Sequence, residues 1–195
     1  MMMKLNKEYW EERYQKGEDQ WNVGDISIPI KEYIDQITDI NIKILIPGAG
    51  NGYELEYFIE KDFKNSYVVD YAPTPLENIK KRIPNLNESQ IINADFFELE
   101  GQYDLIIEQT FFCALNPDLR HAYVQKMKAL LNPKGKIVGL LFQFPLTSAG
   151  PPFGGSIEEY VSLFQNDFNI VTIETAHNSI APRANKELFV IFEKK

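Results

Sequence analysis

Short apolar runs alternate along the chain with longer stretches whose apolar residues recur every three or four positions. Ile42–Ile46, Ser66–Val69, Gln90–Asn93, Tyr103–Glu108 and Lys136–Phe142 read as strands. The first is nearly all apolar, as a parallel strand covered on both faces should be. Between the strands, Tyr53–Lys61 and Thr74–Arg82 read as helices. A further helix is opened by Asn116-Pro117-Asp118-Leu119-Arg120 and runs to Leu131. Thr74 and Pro75 give the second of these a cap and a first-turn proline, and Lys80-Lys81-Arg82 give it a basic end. Ser156 caps one more helix, to Gln165. Ahead of the first strand lie Asn6–Lys16, capped by Asn6 and stopped by Gly17, and Ile28–Ile40, with Ser27 as cap. Phe168–Thr175 and Glu187–Phe192 read as a closing antiparallel pair. Five sequential β/α units followed by a strand pair predict a doubly wound α/β sheet.

Length and charge narrow the function. A chain of 195 residues fits one domain, 1–195, with 1–40 as an N-terminal helical region and 41–195 as the α/β core. A net charge of −8 argues against a general nucleic-acid surface. Cys113 is the only cysteine, so no intramolecular disulfide and no cysteine-rich zinc site is expected, and a reducing cytoplasm fits. Met1–Glu11 carries charges where a signal peptide needs an apolar stretch, and no apolar run approaches the roughly 20 residues of a membrane span.

The chemistry concentrates at the carboxyl ends of the strands. The first strand runs through Pro47 into Gly48-Ala49-Gly50-Asn51-Gly52, then a helix. Glycine allows unusual backbone angles and close approach of a ligand. The G-x-G-x-G spacing is one residue shorter than the dinucleotide fingerprint and resembles the glycine loop of class I S-adenosyl-L-methionine (SAM) methyltransferases. Asp70, followed by Tyr71, ends the second strand about 20 residues on, where an acid accepts hydrogen bonds from both ribose hydroxyls. Ala94-Asp95-Phe96-Phe97 follows the third strand: the acid suits an adenine amino group or the capping of its own backbone. The fourth strand runs into Gln109-Thr110-Phe111-Phe112-Cys113 at the topological switch region, where substrates meet cofactors. In the first helix Trp10 and Tyr14 share a face, and Trp21 follows. They are either packing aromatics or a lid.

Taken together, these blocks resemble the thiopurine methyltransferase superfamily, and most the branch of plant halide and thiocyanate (thiol) methyltransferases. The resemblance spans nearly the whole chain. It rests on Trp10-Glu11 through Gln20–Gly24, Ile46–Gly52, Ala94–Phe97, Tyr103–Ile106 leading to Phe111–Leu115, Pro117–Arg120, Gly150–Phe153 and Pro182-Arg183. It implies a Rossmann-like sandwich: a seven-stranded, mostly parallel sheet with its last strand antiparallel, under an N-terminal helical lid. It implies SAM as cofactor. Trp10, Tyr14 and Trp21 would lie over it; Pro47, Gly48, Ala49 and Gly50 would approach its methionine part. Asp70 and Tyr71 would face the ribose, Asp95 and Phe96 would frame adenine, and Gln109 would sit at a further contact. Arg120 and Arg183 are implied near the methyl acceptor. The chain departs from the plant halide enzymes in having Leu141-Phe142-Gln143-Phe144-Pro145, without a tyrosine before the proline.

A soft anion such as a thiolate needs no general base for methyl transfer, only alignment, a dry pocket and a positive neighbour. Arg120 and Arg183 would supply that field and favour the thiolate. Phe111, Phe112 and Phe153 would be apolar walls or ordinary core. Cys113 has no evident base partner and reads as core. His121 and His177 make no ligand spacing, and no metal set is expected. The expected acceptor is a small molecule, with no nucleic acid or membrane as partner, and the expected state is a monomer. A non-catalytic SAM-binding protein is the competing reading. Base methylation is disfavoured by the acidity and by the lack of an Asn/Asp-Pro-Pro-Tyr segment after the fourth strand.

Overall fold

Every expected strand forms, and the central ones are rich in apolar residues because alternate positions enter cores on both sheet faces. The structure is a computed structural model and describes residues 4–84 and 86–195. Met1–Met3, part of the N-terminal stretch read for targeting, lie outside the described residues. The strands are β1 (Ile44–Pro47), β2 (Ser66–Asp70), β3 (Ile91–Asn93), β4 (Tyr103–Gln109), β5 (Leu131–Phe142), β6 (Phe168–Thr175) and β7 (Glu187–Lys194). They make one seven-stranded sheet in the order β3-β2-β1-β4-β5-β7-β6. The pairs from β3 to β5 are parallel, and β7 enters antiparallel between β5 and β6. The order reverses between β1 and β4, so a crevice opens at their carboxyl ends.

The helices are α1 (Lys7–Lys16), α2 (Ile28–Ile34), α3 (Tyr53–Glu60), α4 (Pro73–Arg82), α5 (Arg120–Leu130) and α6 (Ile157–Phe164). Ile44 and Ile46 point into a core shared with α2, α3 and α4, through Ile30, Leu55, Phe58 and Ile79. Leu45 points the other way, into a core shared with α5 and α6 through Val124, Met127 and Tyr160. In β4, Leu105 and Ile107 take the first side and Ile106 the second. Among the described residues no helix is long and apolar enough to cross a membrane.

Three boundaries differ from expectation. The second helix stops at Ile34 rather than Ile40: the Gln36 and Ile37 N–H groups bond to the Tyr33 and Ile34 carbonyls in a tightened turn, and the Asp35 side chain is engaged by Lys61 and by the Tyr57 hydroxyl, each at 2.6 Å. Ile37 packs on the core from the following turn and Ile40 is exposed, so burial gives no reason to extend the helix. Ala72, not Thr74, precedes α4, and the Thr74 hydroxyl is taken by Glu11 of α1. The expected turn at 132–135 falls inside β5, which begins at Leu131, as an out-of-register stretch with Lys134 at φ of +64°. Leu131 pairs with Tyr103 and Lys136 with Leu105, while Asn132 donates to Asp104 at 2.7 Å.

Candidate active site

The site starts where β1 ends. Gly48 and Gly50 hold φ of +57° and +51°. A Cβ on Gly48 would come within 2.1 Å of the Phe111 ring, and one on Gly50 within 2.8 Å of the Tyr14 hydroxyl. Both positions therefore need glycine for conformation and for space. Asp70 locks the loop from the next strand: one carboxylate oxygen accepts the Gly50 N–H at 3.1 Å, the other the Ala72 N–H at 2.9 Å. Burial pushes its carboxyl up to about 6, against the pull of those backbone donors.

The N-terminal segment covers this loop. The Asn6 side chain accepts the Tyr9 N–H and Gly17 ends α1 in the left-handed region, as the sequence predicts. No residue of α1 is fully buried, so the helix is held by few groups. Glu11 accepts from the Thr74 N–H at 3.0 Å and from its hydroxyl, and the Tyr71 hydroxyl donates to the Leu5 carbonyl at 3.2 Å. Trp21 packs edge-on against Trp10 at 5.4 Å and Tyr14 at 5.5 Å, and its indole N–H donates to the Tyr14 hydroxyl. These aromatics pack on one another and also line a cavity.

That cavity measures about 910 Å³, ample for a cofactor and a second small molecule. Trp10, Tyr14 and Trp21 line it, with Gly48, Ala49 and Gly50. So do Asp70, Tyr71, Asp95, Phe96, Gln109, Phe111 and Arg183. Asp95 also caps its own turn, accepting the Phe97 N–H at 2.8 Å. Gln109 accepts the Ser27 hydroxyl at 3.3 Å, which ties the end of β4 to the segment under the lid. Arg183 donates to the Trp21 carbonyl at 2.8 Å and to Glu187 at 3.3 Å, so it too braces the lid.

Four expected site residues lie elsewhere. Pro47 is buried within β1, opposite Val69. Phe112 is buried against Tyr123 and Tyr160 at 5.0 and 5.7 Å, and Phe153 is buried with its N–H on the Cys113 carbonyl. Arg120 does not reach the cavity. It is 3% exposed, pairs with Glu159, donates to the Gly154 carbonyl at 2.7 Å and stacks on Phe112 at 4.7 Å. It holds the Pro151–Gly154 segment, of which Pro151 and Pro152 line the cavity. Cys113 lines the cavity, but burial drives its thiol far above its ordinary value, so it stays neutral. His121 and His177 are exposed. Among the described residues no His, Cys, Asp and Glu cluster fit for a metal is found.

A family model described as thiopurine S-methyltransferase (TPMT) matches residues 5–194. The chain belongs to the thiopurine S-methyltransferase family. It is accordingly a SAM-dependent methyltransferase. Among curated relatives of this TPMT-family protein is an Arabidopsis thaliana protein described as probable thiol methyltransferase 2, 30% identical over 91% of this chain and 81% of that one. Thiocyanate methyltransferase 1 of Brassica oleracea is 27% identical over the same shares. Thiopurine S-methyltransferase of Vibrio parahaemolyticus is 24% identical, over 95% of this chain and 98% of that one. Among solved structures, the Burkholderia thailandensis 1,6-didemethyltoxoflavin-N1-methyltransferase, crystallised with bound 1,6-didemethyltoxoflavin and S-adenosylhomocysteine, shares the fold. Its TM-score is 0.74 at 19% identity, covering 98% of this chain and 88% of that one.

In this TPMT-family protein three site features escape a reading of sequence. Glu54, in the first turn of α3, lines the cavity although it reads as an ordinary acid at a helix start. Thr110, just past β4, lines it with φ of +57°, a conformation that a β-branched residue rarely adopts and no residue pattern announces. Glu108, at 1% exposure, accepts the Phe111 and Phe112 N–H groups at 2.9 Å each and the Tyr123 hydroxyl, and so fixes where Phe111 stands.

Proposed function

We propose that the protein moves the methyl group of SAM to a small, soft nucleophile: a thiol, a thiopurine-like heterocycle, or an anion such as thiocyanate, bisulfide or halide. The observation that carries this is one cavity lined together by the glycine loop, Asp70, Phe111, Arg183 and the aromatics Trp10, Tyr14 and Trp21. The family, and relatives described as acting on thiol, thiocyanate and thiopurine, support the acceptor class.

Bound SAM supplies an activated methyl on a sulfonium sulfur. The residues present fit it. The glycine loop leaves backbone free of Cβ atoms, and Asp70, already accepting two N–H groups, has lone pairs left for ribose hydroxyls. Tyr71 would flank the ribose, and Asp95 and Phe96 would frame adenine. Gln109 keeps its amide N–H₂ for a cofactor acceptor atom. Trp10, Tyr14 and Trp21 would exclude water and pack on the cofactor, where their ring faces favour a cation. Arg183, already paired with Glu187 and the Trp21 carbonyl, would orient an anionic acceptor only through the guanidinium donors those two contacts leave over. Phe111 and Pro152 keep the acceptor's side dry. No side chain is required to remove a proton at the reacting atom, because a thiolate is already nucleophilic. Arg120 acts through the Pro151–Gly154 segment and touches no substrate.

We further infer a monomer working in the cytoplasm, with neither nucleic acid nor membrane as partner. The charge of −8 and the lone cysteine support this. The test is transfer of labelled methyl from SAM to thiophenol, thiopurines, thiocyanate, iodide and bisulfide, with phenol as the oxygen control. Transfer to at least one sulfur or halide acceptor is expected. Transfer to none, with S-adenosylhomocysteine still bound, would refute the acceptor class and leave the cofactor assignment standing.

A further inference from the structure

A charged group inside an apolar-walled cavity must be paired or held neutral, because burying an unpaired charge is costly. Most acids around the cavity are engaged. Asp70 accepts two backbone N–H groups, Asp95 accepts one, and Asp25 accepts the Ile26 N–H at 2.7 Å. Glu54 is different. It is 6% exposed, it lines the cavity, and among the described residues no other residue donates a hydrogen bond to its carboxylate. Arg82, on α4, could have neutralised it but is paired with Glu56 at 2.5 Å and stacked on Tyr53. Arg183 is taken by Glu187 and the Trp21 carbonyl. Glu54 therefore presents acceptor oxygens to the cavity with no partner among the described residues beyond its own backbone N–H.

The position narrows what the partner is. Glu54 stands in the first turn of α3, four residues past Gly50, so the turn that approaches the methionine part of the cofactor also carries this carboxylate. A carboxylate repels an anionic acceptor and has no N–H or O–H to offer the cofactor's own carboxylate when ionised. It suits a cation with several N–H donors. We propose that Glu54 recognises the α-ammonium group of the cofactor's amino-acid part. This rests on the assignment of the cavity to SAM. The acid adds a charge-assisted hydrogen bond to the cofactor and selects for the intact amino acid.

The electrostatics fit a site that waits for a cation. Burial pushes the Glu54 carboxyl up to about 7; Arg183 and Arg82 pull it down and Asp25 pushes it up. An incoming ammonium ion would hold it ionised.

The test is calorimetric binding to native protein, Glu54→Gln and Glu54→Asp. The probes are S-adenosylhomocysteine, its desamino analogue, and 5′-methylthioadenosine, which lacks the amino-acid part. Native protein should bind S-adenosylhomocysteine at least about tenfold more tightly than the desamino analogue. Glu54→Gln should erase that ratio while keeping native affinity for methylthioadenosine, which also reports that the variant is folded. Glu54→Asp should restore part of the ratio. An unchanged ratio in Glu54→Gln would overturn the proposal, as would full affinity for S-adenosylhomocysteine with turnover alone abolished, which would make Glu54 a base for the acceptor. If native protein binds methylthioadenosine and S-adenosylhomocysteine but ignores the amino group, the cofactor assignment stands and this proposal falls. If it binds none of the three, the cofactor assignment falls first.

Discussion

Glu108 offers a quantitative check on how dry the floor of the site is. Its carboxyl is enclosed and accepts three donors: the N–H groups of Phe111 and Phe112 and the Tyr123 hydroxyl. Burial nevertheless outweighs them and pushes it from an ordinary 4.5 to about 7. In the unfolded chain the group ionises near its ordinary value, so from pH 4.5 to 7 the unfolded state loses a proton that the fold retains. Stability from this group is thus full below pH 4.5, falls as pH rises to about 7 and is level above it. Each pH unit of that window corresponds to about 1.4 kcal/mol, so about 2 kcal/mol is lost between pH 5.5 and pH 8. Glu108→Gln removes the titration. Its amide oxygen can still take both backbone N–H groups, and its N–H₂ can donate to the Tyr123 oxygen, so the variant should cost no more than about 1 kcal/mol at pH 5.5. Between pH 5.5 and 8 the difference between variant and native protein should move by about 2 kcal/mol in favour of glutamine. Urea unfolding at the two pH values reads it, and other buried acids such as Asp70 cancel in the comparison. A difference constant to within about 0.5 kcal/mol would mean that the carboxyl ionises freely and that the Phe111 turn is wet.

Asp70→Asn should weaken S-adenosylhomocysteine binding by about tenfold or more, since a ribose hydroxyl loses a charged acceptor. In native protein the affinity should fall about tenfold per pH unit below about 6, where Asp70 protonates; calorimetry that finds a flat profile from pH 5 to 8 would count against its role. Arg120→Ala should cost about 3 kcal/mol in urea unfolding, because it strips a buried guanidinium from Glu159, Gly154 and Phe112. S-adenosylhomocysteine affinity should stay within about threefold. Undiminished stability with lost turnover would instead return Arg120 to the acceptor.

What was legible from residues alone was whatever a short stretch can encode. The apolar runs marked the strands because both sheet faces are covered. Gly48 and Gly50, followed 20 residues on by Asp70, marked the loop because backbone conformation and strand ends impose that spacing. The lid aromatics were legible as a cluster. Partners distant in the chain were not. Arg120 looks like a free cation at a helix start, and only folding brings Glu159 to it, 39 residues away. Phe111 and Phe112 are adjacent and alike in sequence, yet the turn held by Glu108 sends one to the cavity and the other to the core. Glu54 was hidden for the opposite reason: an acid in a first helical turn has an ordinary local explanation, and only in three dimensions is it visible that no other described residue donates to it.

The account's central claim is methyl transfer to a soft nucleophile without a protein base. The direct measurement is the initial rate of labelled-methyl transfer from SAM to thiophenol against phenol at neutral pH. The account predicts transfer to sulfur and none detectable to oxygen, because the more acidic thiophenol enters the pocket as a ready thiolate at neutral pH whereas phenol enters protonated. Methylation of phenol at a rate matching thiophenol would contradict it, since that requires a proton acceptor the mechanism does not contain.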